Sequence, residues 1–145
     1  MRLLLDTHAL LWALGSPAEL PAGIRTAIED PASVVFVSAA SAWEMAIKQA
    51  RGKLRYPAAE IAAALRRASL LELPVTIRHA EAAASLPPYH RDPFDRVLVA
   101  QAQVEGLSLV SRDPAFRHYQ VTVLWAPELQ APRATYRAKR KPRRR

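Results

Sequence analysis

Short apolar runs alternate with longer helical patterns along almost the whole chain, and this alternation limits the folds that are open to it. The apolar runs predict strands at residues 2–5, 34–38, 71–75, 107–110 and 121–125. Helical patterns occupy residues 8–14, 22–30, 40–54, 58–70, 77–86 and 93–106. Because strands that alternate with helices pair through right-handed crossovers, we predict an α/β fold with three α/β/α layers and a central, mainly parallel sheet of about five strands.

The composition fits one globular domain without a membrane segment. The chain has 145 residues, of which 50% are hydrophobic, and this is enough for a single compact core. It contains no cysteine, no signal-peptide pattern and no apolar run that approaches the roughly 20 residues of a membrane span. We therefore expect a cytoplasmic protein, and we exclude disulfides and cysteine nucleophiles.

The net charge of +8 is confined to the C-terminus. Residues 133–145 hold eight of the 21 lysines and arginines and none of the 13 acids, so residues 1–132 are formally neutral. A segment with this much like charge and no aliphatic residue larger than alanine is expected to be disordered. It could bind nucleic acid by neutralising phosphates, or it could serve only solubility.

Acidic residues are concentrated at one predicted edge of the sheet. Asp6 closes the first strand, Asp113 follows the fourth, and Glu44 lies in the predicted first turn of the helix after the second. Asp92 and Asp95 open the helix that precedes the fourth strand. Ligands of parallel sheets bind beyond the carboxyl ends of the strands, so this edge is where we expect chemistry.

Each acid also has an ordinary structural explanation. Asp92 and Asp113 are both followed by proline, which is a standard start for a helix, and Asp6 could cap the helix that follows it. Ser41 and Glu44 have the Ser-x-x-Glu spacing of a capping box. For any one acid taken alone this explanation is favoured, and for Asp92 we retain it.

Four of the acids taken together predict a cation site, because helix capping does not explain why carboxylates from distant segments should meet at one edge. Close together and unpaired, such groups repel one another and raise one another's pKa. Oxygen ligands suit Mg²⁺ or Mn²⁺, whereas no His-x-His or Glu-x-x-His pattern supports zinc. The predicted metal ligands are Asp6, Glu44, Asp95 and Asp113.

Four blocks carry these acids: LLLDTHALLWAL, VSAASAWEMAIKQARGKL, HRDPFDRVLVAQA and LSLVSRDPAF. In order and spacing they resemble the acidic blocks of PIN-domain ribonucleases, specifically the VapC-type toxins of toxin–antitoxin pairs. The resemblance covers residues 1–126, so we expect a PIN-like nuclease domain there and a basic tail at residues 127–145. It implies that the predicted ligands are the catalytic acids, with Asp95 preferred over Asp92 because Asp95 precedes the RVLVAQA stretch.

The resemblance also implies an activity, partners and supporting residues. It implies Mg²⁺- or Mn²⁺-dependent hydrolysis of RNA phosphodiester bonds, homodimerisation, and inhibition by a cognate antitoxin. Thr7 and Ser111 place hydroxyls beside the acids, where they could orient ligands or only form local hydrogen bonds. Asp92 is a possible helper, and Arg96 and Arg112 could hold phosphates.

Several other polar and aromatic residues lie near the acids, and we assign them no chemical role. His8 and His90 flank acids, but a single histidine is more often structural. Trp12, Trp43 and Ile47 have core spacing and are predicted to pack.

Two other functions remain open on the sequence alone. The chain could be a catalytically inactive PIN-type module that binds RNA or a protein partner. It could also be a phosphohydrolase of the haloacid-dehalogenase type, which likewise begins with a strand that ends in aspartate. That chemistry needs a second acid two residues after Asp6, where this chain has His8.

Overall fold

A five-stranded parallel sheet forms the centre of the structure, a computed structural model that describes residues 1–126. Its strands are β1 (Arg2–Leu5), β2 (Val34–Ser38), β3 (Leu71–Leu73), β4 (Ser108–Ser111) and β5 (Val123–Trp125). They are ordered β3-β2-β1-β4-β5, and every neighbouring pair is parallel. The predicted three-layer α/β fold is confirmed. The basic tail predicted from residue 127 lies outside the described residues.

Helices cover both faces of this sheet. The α-helices are α1 (Thr7–Gly15), α2 (Ala22–Glu29), α3 (Ala39–Ala50), α4 (Ile61–Arg67), α5 (Ile77–Ala84) and α6 (Pro93–Glu105). Short 3-10 helices occupy Pro17–Glu19, Ala58–Glu60 and Pro114–His118. Each predicted helical segment therefore contains a helix. Parallel strands need such crossover segments, because a tight hairpin cannot connect them.

The sheet divides the core into two halves. Leu3 and Leu5 of β1 point into the half that contains residues of α1, α3 and α4. Leu4 points into the other half, together with residues of α6 and Phe116. All three leucines are fully buried, and each contributes about 1.5–3 kcal/mol by leaving water. This burial on both faces explains why β1 reads as an unbroken apolar run.

β3 and α3 end earlier than the sequence patterns predict, for reasons that the following residues explain. β3 stops at Leu73 rather than at residue 75, because Pro74 has no N–H to donate to a neighbouring strand. α3 stops at Ala50 rather than at residue 54. Gly52 has φ +69°, a left-handed conformation that breaks the helix without the cost that a side chain would impose.

The order of the strands fixes the location of the switch point. β1 is flanked by β2 on one side and by β4 on the other, so the crossovers run in opposite directions from the centre of the sheet. At its carboxyl end, β1 leads through Asp6 directly into α1, and β4 leads through Asp113 into the 3-10 helix Pro114–His118. A crevice at such a switch point is the usual ligand site of an open α/β sheet.

Candidate active site

Asp6 and Asp113 follow neighbouring strands at the switch point. The Asp6 backbone N–H donates to the Val110 carbonyl at 3.1 Å, which extends the pairing of β1 with β4 by one residue. The Asp6 Oδ1 accepts a 2.7 Å hydrogen bond from the Ala9 N–H and caps α1. The Asp113 Oδ1 accepts a 2.9 Å bond from the Ala115 N–H and caps the following 3-10 helix. The capping roles considered for both acids are confirmed.

The charged form of Asp6 is disfavoured in this position. Burial raises the pKa of the Asp6 carboxyl, hydrogen bonds from the Ser111 side chain and the Ala9 N–H lower it in part, and the Asp113 charge raises it further. Ser111 is fully buried, and its hydroxyl also accepts a 3.1 Å hydrogen bond from the Asp113 N–H. Ser111 therefore contacts both acids, as its place in the sequence predicted.

Glu44 reaches the same edge from α3. It is buried, and its Oε1 accepts a 2.6 Å hydrogen bond from the Thr7 hydroxyl of α1. Its Oε2 lies 3.0 Å from the Lys48 Nζ, one turn further along α3. The Thr7 hydroxyl therefore orients an acid of a distant segment, and its hydrogen is used in that bond.

The capping box predicted from Ser41 and Glu44 is wrong. α3 begins earlier, and its N-cap is Ser38, whose hydroxyl accepts a 3.0 Å hydrogen bond from the Ala40 N–H. Ser41 lies inside the helix, and its buried hydroxyl has no hydrogen-bond partner within residues 1–126. Glu44 consequently lies in the second turn of α3 rather than in the first, and its carboxylate is free to extend towards Thr7.

Asp92 and Asp95 occupy different positions at the start of α6. Asp92 is exposed, and its Oδ1 accepts hydrogen bonds from the Phe94 N–H at 2.8 Å and the Asp95 N–H at 3.2 Å. With Pro93 in the first turn, Asp92 is the N-cap that we expected. The Asp95 side chain is half-buried, and its carboxylate accepts no hydrogen bond from residues 1–126.

Asp95 is the most strongly perturbed acid of the group. Burial, followed by the charge of Asp92, raises the pKa of its carboxyl to about 7, against an opposing effect of His90. Glu44 and Asp113 contribute further to this rise. Since Glu44 and Asp113 both act on Asp95 through their charges, the acids of α3, α6 and the β4 end share one region.

His90 is a site residue to which the sequence assigned no role. Its Nε2 lies 3.1 Å from the Asp113 Oδ2, and its backbone N–H donates to the Tyr119 hydroxyl at 2.8 Å. The buried ring lies 4.4 Å from the Phe116 ring and 5.5 Å from the Tyr119 ring, centre to centre. His90 therefore positions Asp113, and the only sequence signal was its location two residues before Asp92.

The donor set fits a hard divalent cation in its chemistry. The acids supply only carboxylate oxygens, and their mutual repulsion is the condition that a cation relieves. Within residues 1–126, however, no three Asp, Glu or His side chains converge closely enough to hold one ion as they are arranged. The contacts described above occupy several of these oxygens, so the side chains would have to reorient when a cation binds.

Comparison with known families matches residues 3–121 to the PIN domain. The chain belongs to the PIN domain family. The match includes the acidic blocks at the carboxyl edge of the sheet and stops before the basic tail. No curated protein matches the chain. No helix within residues 1–126 is both long enough and apolar enough to cross a membrane.

Solved structures share the fold of this PIN domain at low sequence identity. VapBC2 from Rickettsia felis, solved with a DNA fragment from its promoter, matches with a TM-score of 0.64 and 13% identity, over 86% of this chain and 98% of that chain. VapC20 of Mycobacterium tuberculosis, described as a sarcin–ricin loop cleaving toxin, gives a TM-score of 0.58 and 22% identity, over 83% and 96% of the two chains. FitAcB from Neisseria gonorrhoeae gives a TM-score of 0.53 and 21% identity, over 83% and 95%.

The Arg96 guanidinium forms hydrogen bonds with backbone carbonyls. Its Nη1 donates to the carbonyls of Pro87 at 3.0 Å and His90 at 3.3 Å. Its Nη2 donates to the carbonyls of Ala83 at 2.7 Å and Leu86 at 2.9 Å. These four bonds use all the terminal N–H groups of the guanidinium. We therefore correct the prediction that Arg96 holds a phosphate: it anchors the turn that carries His90.

Arg112 differs from Arg96 in its exposure and its contacts. Its side chain is exposed, and its guanidinium carbon lies 5.3 Å from the centre of the Trp12 ring and 6.0 Å from that of Trp125. Such cation–π contacts leave the N–H groups at the edge of the guanidinium accessible. Arg112 thus remains a candidate for contact with phosphate.

Trp43 is not a core residue, so its predicted packing role is wrong. Its side chain is 65% exposed and meets the Phe94 ring edge to face, with the ring centres 5.4 Å apart. The two rings help to line an apolar surface groove of about 400 Å³, formed by Ala39, Ala40, Trp43, Val75, Pro93, Phe94 and Val97. Trp12 and Ile47 are half-buried.

Proposed function

We propose that this PIN domain is a metal-dependent endoribonuclease and the toxin of a toxin–antitoxin pair, acting in the cytoplasm. The observation that carries the proposal is the set of coupled carboxylates at the switch point. The pKa of Asp95 is raised by burial, by Asp92 and by the charges of Glu44 and Asp113, and the pKa of Asp6 is raised by burial and by Asp113. Burial and mutual repulsion of these charges disfavour the metal-free protein, which favours a functional explanation.

We assign the four acids to cation binding. Asp6, Glu44, Asp95 and Asp113 would hold Mg²⁺ or Mn²⁺, whose positive charge offsets their repulsion. A bound divalent cation supplies Lewis acidity towards a phosphodiester and lowers the pKa of water. No covalent intermediate is required, which agrees with the absence of cysteine from the sequence.

Neighbouring side chains keep these carboxylates in place. Thr7 holds Glu44 through its 2.6 Å hydrogen bond, and the His90 Nε2 lies 3.1 Å from Asp113. Ser111 bridges Asp6 and the backbone of Asp113. Partners of this kind orient metal ligands, and their loss typically weakens metal affinity or activity.

The proposed substrate and partners rest on the resemblance and on the named structures. VapC20 is described as a toxin that cleaves the sarcin–ricin loop, which supports an RNA substrate for this chain. VapBC2 supports a cognate antitoxin as a partner. We also propose a homodimer, for which the exposed apolar groove at Trp43 offers a contact surface.

Cleavage of total RNA by the purified full chain tests the proposal. Mg²⁺ should activate cleavage, EDTA should stop it, and Asp113→Asn should abolish it while the fold persists. Asp92→Asn is the matched control, because asparagine caps a helix about as well as aspartate does. Metal-independent cleavage, or equal activity of the two variants, would contradict the assignment.

A second candidate is a PIN module that binds RNA or a protein without cleaving. It is favoured by the lack, within residues 1–126, of three donor side chains ready to hold one ion. Calorimetric titration with Mn²⁺ distinguishes the candidates. The nuclease should bind Mn²⁺ and lose that binding in an Asp6→Asn, Asp95→Asn double variant, whereas the inactive module should show no difference.

A further inference from the structure

Four side chains form a connected aromatic and basic surface, which we name the Trp12 platform: His8, Trp12, Arg112 and Trp125. The His8 and Trp12 rings meet edge to face with their centres 4.6 Å apart. The Trp12 and Trp125 rings are tilted, with centres 5.1 Å apart, and Arg112 lies over both. His8 and Arg112 are exposed, while the two tryptophans are half-buried.

The Trp12 platform adjoins the acidic edge. His8 lies two residues after Asp6, in the first turn of α1. Arg112 is the residue between Ser111 and Asp113. Trp125 is the register partner of Ser111 across β4 and β5. The platform and the acids therefore belong to the same end of the sheet.

Arg112 brings an uncompensated positive charge to this edge. Within residues 1–126 it forms no ion pair, although Asp113 is its neighbour in the sequence. Its guanidinium lies over the rings of Trp12 and Trp125 instead. A guanidinium in this position can present its plane to a nucleobase and its N–H groups to a phosphate.

Trp125 is held against Trp12 by an unusual backbone conformation. Its φ is +83°, in the left-handed region that a bulky side chain rarely adopts. Strain of this kind persists only where the surrounding structure enforces it, and it is concentrated at functional sites. At this position β5 ends, and the Trp125 ring packs partly on the core and partly on Trp12.

We propose that the Trp12 platform binds the RNA strand beside the phosphodiester that is cleaved. A nucleobase stacks on the exposed side of the platform, against Trp12 and the guanidinium plane of Arg112, and Arg112 contacts the adjoining phosphate. The inference rests on the proposed function, because the platform gains this meaning only if the acids cleave RNA.

Electrostatics explain why a stacking surface is needed here. Residues 1–132 carry no net charge, and the carboxylates at the switch point repel a phosphate chain. Stacking on aromatic rings does not depend on net charge, and it tolerates any base. It can therefore hold a strand close to acids that disfavour it.

Fluorescence anisotropy of the full chain in EDTA tests binding without cleavage. The probes are a fluorescein-labelled RNA decamer of adenylate and an abasic strand of the same length, at 200 mM salt to limit binding by the basic tail. Trp12→Ala should weaken binding of the decamer about tenfold and binding of the abasic strand less than about twofold. Trp12→Phe, which still stacks, should retain most of the affinity.

Arg112→Ala provides an independent measurement, because the residue is exposed and its loss does not threaten folding. It should weaken binding of both probes several-fold and reduce the log–log salt slope by about 0.7, the value for one phosphate contact. Arg67→Ala, at an exposed arginine in the last turn of α4, is the matched control and should change neither quantity.

The remaining outcomes separate failure of the platform from failure of the proposed function. Equal loss on both probes in Trp12→Ala would indicate a structural role, and no loss on either would exclude stacking. The same holds if platform variants lose affinity only for a protein partner. If the platform binds RNA as expected but no condition yields cleavage, the proposed function fails together with the placement of the platform beside a cleaved bond, and only its stacking with RNA is retained. If Mg²⁺-dependent cleavage is found with normal binding by the variants, only the platform fails.

Discussion

The Thr7 hydroxyl donates a 2.6 Å hydrogen bond to the Glu44 Oε1 and so joins the first turn of α1 to α3. Both residues are buried, and this contact orients the only candidate ligand that comes from α3. The same Glu44 carboxylate binds Lys48 through its other oxygen, so two donors hold it across the edge of the sheet.

Thr7→Val removes the donor while it preserves the shape of the side chain. We expect the free energy of unfolding to fall by about 1–3 kcal/mol, because a buried charged acceptor loses its partner. We expect Mg²⁺ affinity to fall about 10- to 100-fold, since the residue orients a ligand. Urea unfolding and Mg²⁺-dependent cleavage measure the two effects, and Thr7→Ser should restore both. If cleavage by Thr7→Val shows an unchanged dependence on Mg²⁺, Glu44 is not a ligand of the cation.

The two acids at the start of α6 should differ sharply. Asp92→Asn should keep most of the activity, because the amide oxygen can still cap the helix. Asp95→Asn should lose activity by orders of magnitude, because the half-buried carboxylate is a proposed ligand with no capping duty. RNA cleavage rates at saturating Mg²⁺ provide the comparison. The reverse ranking would assign the third ligand to Asp92.

The raised pKa of Asp95 predicts how the stability of the metal-free protein depends on pH. A carboxyl whose pKa is about 7 in the folded state binds more protons there than in the unfolded chain, where the value is 3.8. The free energy of unfolding should therefore fall as the pH rises from about 4 to about 7. The full shift corresponds to about 4 kcal/mol, and solvent screening of this half-buried side chain reduces the expected fall to on the order of 2 kcal/mol. Asp6, whose pKa is also raised, acts in the same direction.

Thermal unfolding between pH 5 and pH 8 in EDTA measures this effect. Asp95→Asn should be more stable than the wild type at pH 8 and should show a flatter pH profile. Addition of Mg²⁺ at pH 8 should stabilise the wild type and not the variant, because a cation that binds only the folded state favours it by mass action. A wild type whose stability rises from pH 5 to pH 8 contradicts this account.

Much of the fold could be predicted because strands buried on both faces leave a plain signal. The apolar runs of β1, β2 and β4 match their observed bounds to within one residue, and the acids follow at their ends. The first residue of α3 was harder to predict, because Ser38 and Ser41 are both good N-cap residues. Both serines are buried, so the choice between them depends on where β2 stops pairing with its neighbours, which is a tertiary property.

The errors at single side chains have a common cause. Arg96 follows Asp95, where an arginine could hold a phosphate, but the turn from Ala83 to His90 folds back over α6 and offers four carbonyls. Trp43 has helical core spacing, yet periodicity cannot show that its side of α3 lies beyond the edge of the core. Both facts depend on how distant segments pack, and no local pattern encodes them.

Arg96→Lys tests the role that the structure gives to this arginine. A lysine offers a single ammonium group and cannot reach four carbonyls, so we expect the free energy of unfolding to fall by about 2–4 kcal/mol. Cleavage should fall as well, because the turn carries His90, which positions Asp113. The measurement is urea unfolding beside KM for RNA. A raised KM with unchanged stability would instead restore the phosphate-binding role.

The basic segment from Arg133 to Arg145 should dominate non-specific RNA affinity, because residues 1–132 are formally neutral. Each contact with a single strand contributes about −0.7 to the log–log salt slope through release of counterions. If roughly half of its eight basic residues engage, truncation after Pro132 should flatten the slope by about 3. A variant with the same tail residues in shuffled order is the control, and it should keep the original slope because the effect depends on charge alone. Cleavage at saturating RNA should survive truncation, since every proposed ligand lies in residues 1–126. An unchanged slope after truncation would exclude the tail from RNA binding and would transfer that role to residues of the PIN domain itself.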